Sequence, residues 1–180
     1  MNKILTLLAV LALTASCCGS KPEKRVHKLL MDRMLTLSVA ESCTGGDIAS
    51  RFTAMPGASA YFKGGVVAYW NQTKTLLLNV SADTIARYGV VSEEVVRQMA
   101  EGARHAADTH YAIATTGIAG PTGGTPEIPV GSVWIAVSSP DRTVARLIRI
   151  KGSRSKVIRG AGSAAIELLE EEVKAGGGTR

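Results

Sequence analysis

A carboxylate, two hydroxyls and a thiol stand in a row at Glu41, Ser42, Cys43 and Thr44, just after the apolar Leu37, Val39 and Ala40 and just before Gly45 and Gly46. An apolar run into small polar residues reads as a buried strand that delivers a site, and the glycine pair lets the backbone turn tightly and approach a ligand. In open α/β sheets ligands bind beyond the carboxyl ends of the strands, which is where this cluster falls. Ser42 and Cys43 compete as nucleophiles. A serine needs a base, and His27, His105 and His110 offer no credible partner in the sequence, which leaves Lys74 and Tyr69 as candidates. Lysine serves only where burial or neighbouring cations lower its pKa. A lone cysteine after a buried strand is more often a small packing residue than a reactive thiol.

Two further loops, Pro56 to Ser59 and Thr116 to Gly124, carry glycine with hydroxyls, and all three loops are expected to meet at one sheet edge. The alternative is three separate turns in which glycine supplies positive φ. Neither a Walker phosphate loop nor a dinucleotide GxGxxG occurs, so nucleotide hydrolysis lacks a motif. Cys17, Cys18 and Cys43 have the spacing of neither a zinc site nor a disulfide framework, and no metal or other cofactor is expected.

The elements that must hold these loops follow from the pattern. Val26, Leu29, Leu30 and Met34 form the apolar stripe of a first helix, and Ile48, Ala49, Phe52 and Met55 form a second that Pro56-Gly57 stops. The strand, glycine turn and helix succession would aim helix amides at an anion bound beside Ser42 to Gly46. Val66 to Trp70 reads as a strand, Asn71 caps a helix reaching Leu78, and Ser81 to Tyr88 is a short helix stopped by Gly89. Ser92 caps the next helix, whose apolar face is Val95, Val96, Met99 and Ala103. Tyr111 to Thr115 is a strand, Gly131 to Ser139 and Thr143 to Ile150 form a hairpin, and Ser153 opens a last helix reaching Val173. Together they imply an α/β fold, a single domain with a mixed β-sheet and helices on both faces.

The chain has 180 residues, 46% of them apolar and 4% aromatic, and a formal charge of +6. That length suits one domain. Few aromatics argue against single-stranded nucleic acid. Arg142, Arg146, Arg149, Lys151, Arg154, Lys156 and Arg159 fall in a stretch whose only acid is Asp141, and a phosphate-sized ligand needs one or two of them. Residues 1–16 have a basic start, the apolar run Ile4 to Leu13 and a small-residue end, the layout of a secretory signal. Leu13-Thr14-Ala15-Ser16-Cys17 looks like a lipobox with its Leu one place early, which makes Cys17 the expected lipidation site, residues 17–24 a tether and the cell envelope the expected location. If the extension is not a signal, the location is cytoplasmic. The domain is expected over 25–173, with a disordered tail at 174–180.

Ala40-Glu41-Ser42-Cys43-Thr44-Gly45-Gly46, Pro56-Gly57-Ala58-Ser59, Tyr69-Trp70-Asn71 with Lys74, Gly89 to Val95, Met99 to Ala103, Thr116 to Pro121 and Pro129-Val130-Gly131 together resemble the CinA C-terminal domain family, which includes the nicotinamide-nucleotide amidohydrolases. The resemblance covers about residues 25 to 173 in unbroken order. It implies a single α/β domain, often a homodimer, that hydrolyses the carboxamide of nicotinamide mononucleotide without a metal. Carried over by motif, Ser59 would be the nucleophile, Lys74 the general base, and Tyr69 and Ser42 hydrogen-bonding helpers. Thr44, Gly45, Gly46, Thr116, Gly117 and Arg154 would shape the substrate site, with Arg154 on the phosphate. The family usually has lysine before Pro-Val-Gly; Ile128 stands here, which removes a cation and motivates the alternative of a catalytically silent nucleotide-binding envelope protein. No nucleic-acid partner is implied.

Overall fold

The structure, a computed structural model, describes residues 20–176. The expected signal, the Cys17 lipidation site and the last residues of the expected tail lie outside the described residues. Helix α1, Pro22–Asp32, begins within the expected tether: Pro22 sits in its first turn, where a missing N–H costs nothing, and Val26 and Leu30 are buried. Met34, expected on the apolar stripe, is 76% exposed. The helix stops short of it: Met34 takes φ 54°, its N–H bonds the Met31 carbonyl, and the Leu35 N–H reaches back to the Leu30 carbonyl. This is a left-handed helix stop with methionine where glycine is usual.

β1, Leu37–Glu41, is buried throughout because parallel strands flank it, β2 (Phe62–Val67) on one side and β3 (Tyr111–Gly117) on the other. A strand covered on both faces reads as a continuous apolar run rather than an alternation. β4 (Ser132–Ser138) and β5 (Thr143–Arg149) continue the sheet antiparallel, giving the order β2-β1-β3-β4-β5. The mixed sheet of one α/β domain therefore stands as expected. β2 starts earlier and ends earlier than the expected Val66 to Trp70, because Gly64 and Gly65 lie inside it. A Cβ on Gly65 would come within 2.3 Å of Val39 Cγ2, so the glycine admits the neighbouring strand's side chain rather than breaking the strand.

Helices cover both faces. α1, α2 (Asp47–Thr53) and α6 (Arg154–Ala175) enclose Leu37, Val39, Ile113 and Ile135. On the other face α3 (Asn71–Leu78) and α5 (Glu93–Ala106) enclose Ala40, Ala112, Ala114 and Ala136, with α4 (Ala82–Tyr88) against α5. The small residues on that face let α5 lie close to the sheet. Gly102 brings α5 against the Leu78 carbonyl at the end of α3, where any Cβ would collide at 1.9 Å. The capping serines behave as their sequence implies, with Ser81 accepting from the Thr84 N–H and Ser92 from the Val95 N–H.

Candidate active site

Ser42 follows directly on β1 and heads the turn into α2, held to β3 by its own N–H on the Thr115 carbonyl. Glu41, one residue earlier, points to the α2 side. Its buried carboxylate accepts the N–H groups of Gly46 at 3.0 Å, Ile48 at 3.1 Å and Ala49 at 2.8 Å. Three charge-assisted bonds at a helix N-terminus hold the turn shut. The α2 amides are thereby occupied, so they do not receive an anionic ligand as the strand, turn and helix pattern suggested. Gly45 and Gly46 adopt φ 62° and 102°, and Thr44 Oγ1 pairs with Thr115 Oγ1 at 2.8 Å. Thr44 to Gly46 thus build the turn and do not line the pocket described next.

Lys74 lies in the first half of α3 and points inward, 1% exposed. Nζ donates to the Ala68 carbonyl at 2.7 Å and to Ser42 Oγ at 3.2 Å. Among the described residues no carboxylate pairs with it. Burial pushes its pKa below the ordinary lysine value, the condition under which lysine becomes a base. The helix places it because Trp70, rather than Asn71, occupies the N-cap position, so Asn71 is free to face the pocket.

Ser42 and Lys74 form the floor of a pocket of about 180 Å³. Tyr69, Asn71, Thr116 and Arg154 stand in its walls, with Val90 and Val91 from the loop before α5. Thr116 Oγ1 donates to the Val90 carbonyl at 2.7 Å, which ties that loop to β3. Arg154 spans the mouth, donating to the Gly120 carbonyl at 2.9 Å and to the Tyr69 phenol at 2.7 Å. Cys43 also lines the pocket, but burial pushes its thiol up to about 12, so the thiolate is scarce at neutral pH. The backbone N–H groups of Cys43 and Thr44 have no protein oxygen as partner among the described residues.

Of the sequence candidates, Ser42, Lys74, Tyr69, Thr116, Gly117 and Arg154 come together here. Ser59 does not. It is exposed in the 3₁₀ turn Ala58–Ala60, and the Tyr61 carbonyl that follows accepts the Leu37 N–H at the start of β1. Ser42 follows the other end of that strand, and five residues at about 3.3 Å each put the two ends more than roughly 13 Å apart. The loops at 41–46 and 116–120 therefore converge, and the loop at 56–59 lies across the molecule. Ile128 closes a turn with Thr125 and does not line the pocket. Asn71, Val90 and Val91 join the site without being among the sequence candidates; the signal that could find them is adjacency to the Tyr69 and Ser92 motifs. Among the described residues, no group of three or more metal-ligating side chains is placed to hold an ion.

The chain is thus a mixed-sheet α/β domain with a serine at the end of the middle of its three parallel strands, hydrogen-bonded to a buried lysine that has no carboxylate partner among the described residues. Residues 19–173 match the model of the CinA C-terminal domain, and the chain belongs to that family. It is 50% identical over 135 residues to a CinA-like protein of Citrifermentans bemidjiense, covering 75% of this chain and 33% of that protein. To a CinA-like protein of Fervidobacterium nodosum it is 43% identical over 148 residues, 82% of this chain and 36% of the relative. The chain thus spans about a third of the length of these curated relatives. Among solved structures, a CinA-superfamily protein of Klebsiella pneumoniae aligns with a TM-score of 0.83 at 34% identity, covering 86% of this chain and 96% of that one. A competence/damage-inducible protein of Agrobacterium tumefaciens aligns at 0.81 and 35%, over 83% and 92%.

Proposed function

We propose that the chain hydrolyses the carboxamide of nicotinamide mononucleotide to nicotinate mononucleotide and ammonia, with Ser42 as nucleophile and Lys74 as its general base. The observation that carries this reading is the 3.2 Å contact between Lys74 Nζ and Ser42 Oγ, made by a lysine that burial disposes to lose its proton. Membership of the CinA family supports it, and the separation of Ser59 from Lys74 moves the nucleophile from Ser59 to Ser42.

Neutral Lys74 takes the Ser42 proton as Oγ attacks the carboxamide carbon. The oxygen of the tetrahedral intermediate becomes negative, and the amides of Cys43 and Thr44, which no protein oxygen of the described residues accepts from, are the donors expected just after a nucleophile that ends a strand. The Lys74 ammonium returns the proton to the departing nitrogen, and ammonia leaves an acyl ester on Ser42. Water, deprotonated by the same amine, then cleaves the ester and restores the serine. The pocket of about 180 Å³ is of a size for the carboxamide-bearing ring, and the ribose and phosphate extend past the mouth to Arg154, whose guanidinium suits a phosphate. Ile128, outside the pocket walls, gives no reason to expect a silent site.

Ammonia release from the mononucleotide tests the assignment. Ser42→Ala and Lys74→Met are each expected to lower kcat at least about a thousandfold, with Ser59→Ala within about twofold of the parent. Full turnover by Ser42→Ala would overturn the nucleophile, and no ammonia from the parent chain would overturn the reaction.

A further inference from the structure

The Ser42 pocket has a neighbour. Tyr69, whose phenol accepts from Arg154 at 2.7 Å, and Asn71 wall that pocket and also a second hollow, of about 520 Å³, which Trp70 and Gln72 complete. Trp70 is 72% exposed and belongs to neither core. An indole open to solvent is a stacking platform for a planar base. Gln72 brings a carboxamide side chain to the same hollow, the group that pairs with N6 and N7 of adenine. A ring platform and an adenine-reading amide therefore lie next to the mouth that Arg154 spans.

The charges around Arg154 exceed what one phosphate needs. Lys151 and Lys156 flank it in the chain, both exposed, and neither pairs with a carboxylate among the described residues. The stem of Lys156 crosses Gly152, where a Cβ would come within 2.6 Å of Lys156 Cδ, so this cation lies over the turn that opens α6. From Gly64 to Ala82 the sole charged side chain is Lys74, which is buried, so no carboxylate of that stretch opposes an anion beside Trp70. Cations at one end and an uncharged aromatic hollow at the other suit a pyrophosphate that leads to a base.

We propose that the hollow beside Trp70 is a base subsite, and that the site takes, besides the mononucleotide, the dinucleotide in which a pyrophosphate joins nicotinamide riboside to adenosine. The proposal rests on the amidase reading for the placing of the carboxamide at Ser42. The phosphate next to the nicotinamide riboside sits on Arg154, Lys151 and Lys156 offset the added charge of the second, and adenine stacks on the Trp70 indole with its N6 and N7 edge toward Gln72. Hydrolysis adds water to the carboxamide, expels ammonia and leaves a carboxylate on the dinucleotide, with the pyrophosphate untouched.

Calorimetric titration of the full chain carrying Ser42→Ala, chosen to stop turnover, compares the two nucleotides. The dinucleotide is expected to bind at least about tenfold tighter than the mononucleotide. Adding Trp70→Ala should bring that ratio to about one, Trp70→Phe should restore most of it, and Leu76→Ala, exposed but outside the hollow, should keep it. A dinucleotide with hypoxanthine in place of adenine lacks the N6 amine and is expected to bind about threefold weaker or worse. Should Trp70→Ala melt below its background by circular dichroism, Gln72→Ala takes its place and is expected to erase the difference between the two bases. In the parent, ammonia release from the dinucleotide is expected at a KM below that for the mononucleotide. An equal affinity for both nucleotides, an advantage that survives in folded Trp70→Ala, equal binding of the hypoxanthine form, or no ammonia from the dinucleotide overturns the proposal. A chain that binds neither nucleotide overturns the amidase reading as well; one that binds and hydrolyses the mononucleotide without any gain from the dinucleotide overturns this proposal alone.

Discussion

Lys74 Nζ lies 3.2 Å from Ser42 Oγ in a buried position where no carboxylate of the described residues pairs with its ammonium. Burial holds its pKa below the usual lysine value of 10.5. Two pH dependences follow with the same sign. On the proposed amidase reading, kcat/KM is expected to rise with pH as Lys74 loses its proton, with its midpoint below 10.5. Stability also rises with pH, because between the lowered folded pKa and the ordinary value the unfolded chain binds more protons than the native one. The contribution is fully present above the unfolded pKa and lost as pH falls through the folded one. Urea titrations across that window are expected to show this slope in the parent and not in Lys74→Met.

Arg154 spans two elements, the Gly120 carbonyl and the Tyr69 phenol. Its replacement by alanine removes the cation at the mouth while leaving Ser42 and Lys74 in place. We expect KM for the mononucleotide to rise about ten- to a hundredfold with kcat changed far less, the loss of one charge-assisted phosphate contact. Steady-state kinetics on the mononucleotide against its dephosphorylated nucleoside checks the assignment. For the nucleoside the variant and the parent should differ little.

Glu41 is a structural carboxylate in a catalytic neighbourhood. Glu41→Ala strands the N–H groups of Gly46, Ile48 and Ala49 at once, and a loss of about 3 kcal/mol or more in urea unfolding is expected. Glu41→Gln keeps one acceptor oxygen and should lose less.

Cys43 lines the pocket with its thiol pushed up to about 12. Cys43→Ala is expected to retain turnover, and alkylation of the native chain by iodoacetamide at pH 7, followed by mass spectrometry, should label this residue slowly. Rapid labelling with parallel loss of activity would return the nucleophile to the thiol.

Much of this architecture was legible in the chain. The buried run at Leu37, the hairpin across Pro140-Asp141-Arg142 and the serine-capped helices follow from alternation, turn residues and capping chemistry, all local. What was not legible depends on partners distant in sequence. Glu41 has no assignable role in the sequence because the N–H groups its carboxylate accepts lie five to eight residues ahead, reached only when the turn closes. Gly64-Gly65 reads as a lead into the strand rather than part of it until Val39 is seen to fill the space. The two serines illustrate the same limit. Both sit in glycine-rich loops of similar composition, and only the parallel pairing of β1 with β2 puts Ser42 and Ser59 at opposite ends of the sheet. The general rule that sites lie beyond the carboxyl ends of strands pointed to Ser42, and the motif resemblance pointed away from it.

Because Glu41 fills the end of α2 from inside the protein, the positive pole of that helix is neutralised before any ligand arrives. On the proposed reading, the anionic end of the mononucleotide is left with Arg154 at the rim, and its carboxamide end is expected at Ser42. The pocket therefore has a polarity, with the cation at its rim and the uncharged pair of serine and thiol deeper, and the proposed substrate is expected one way round in it.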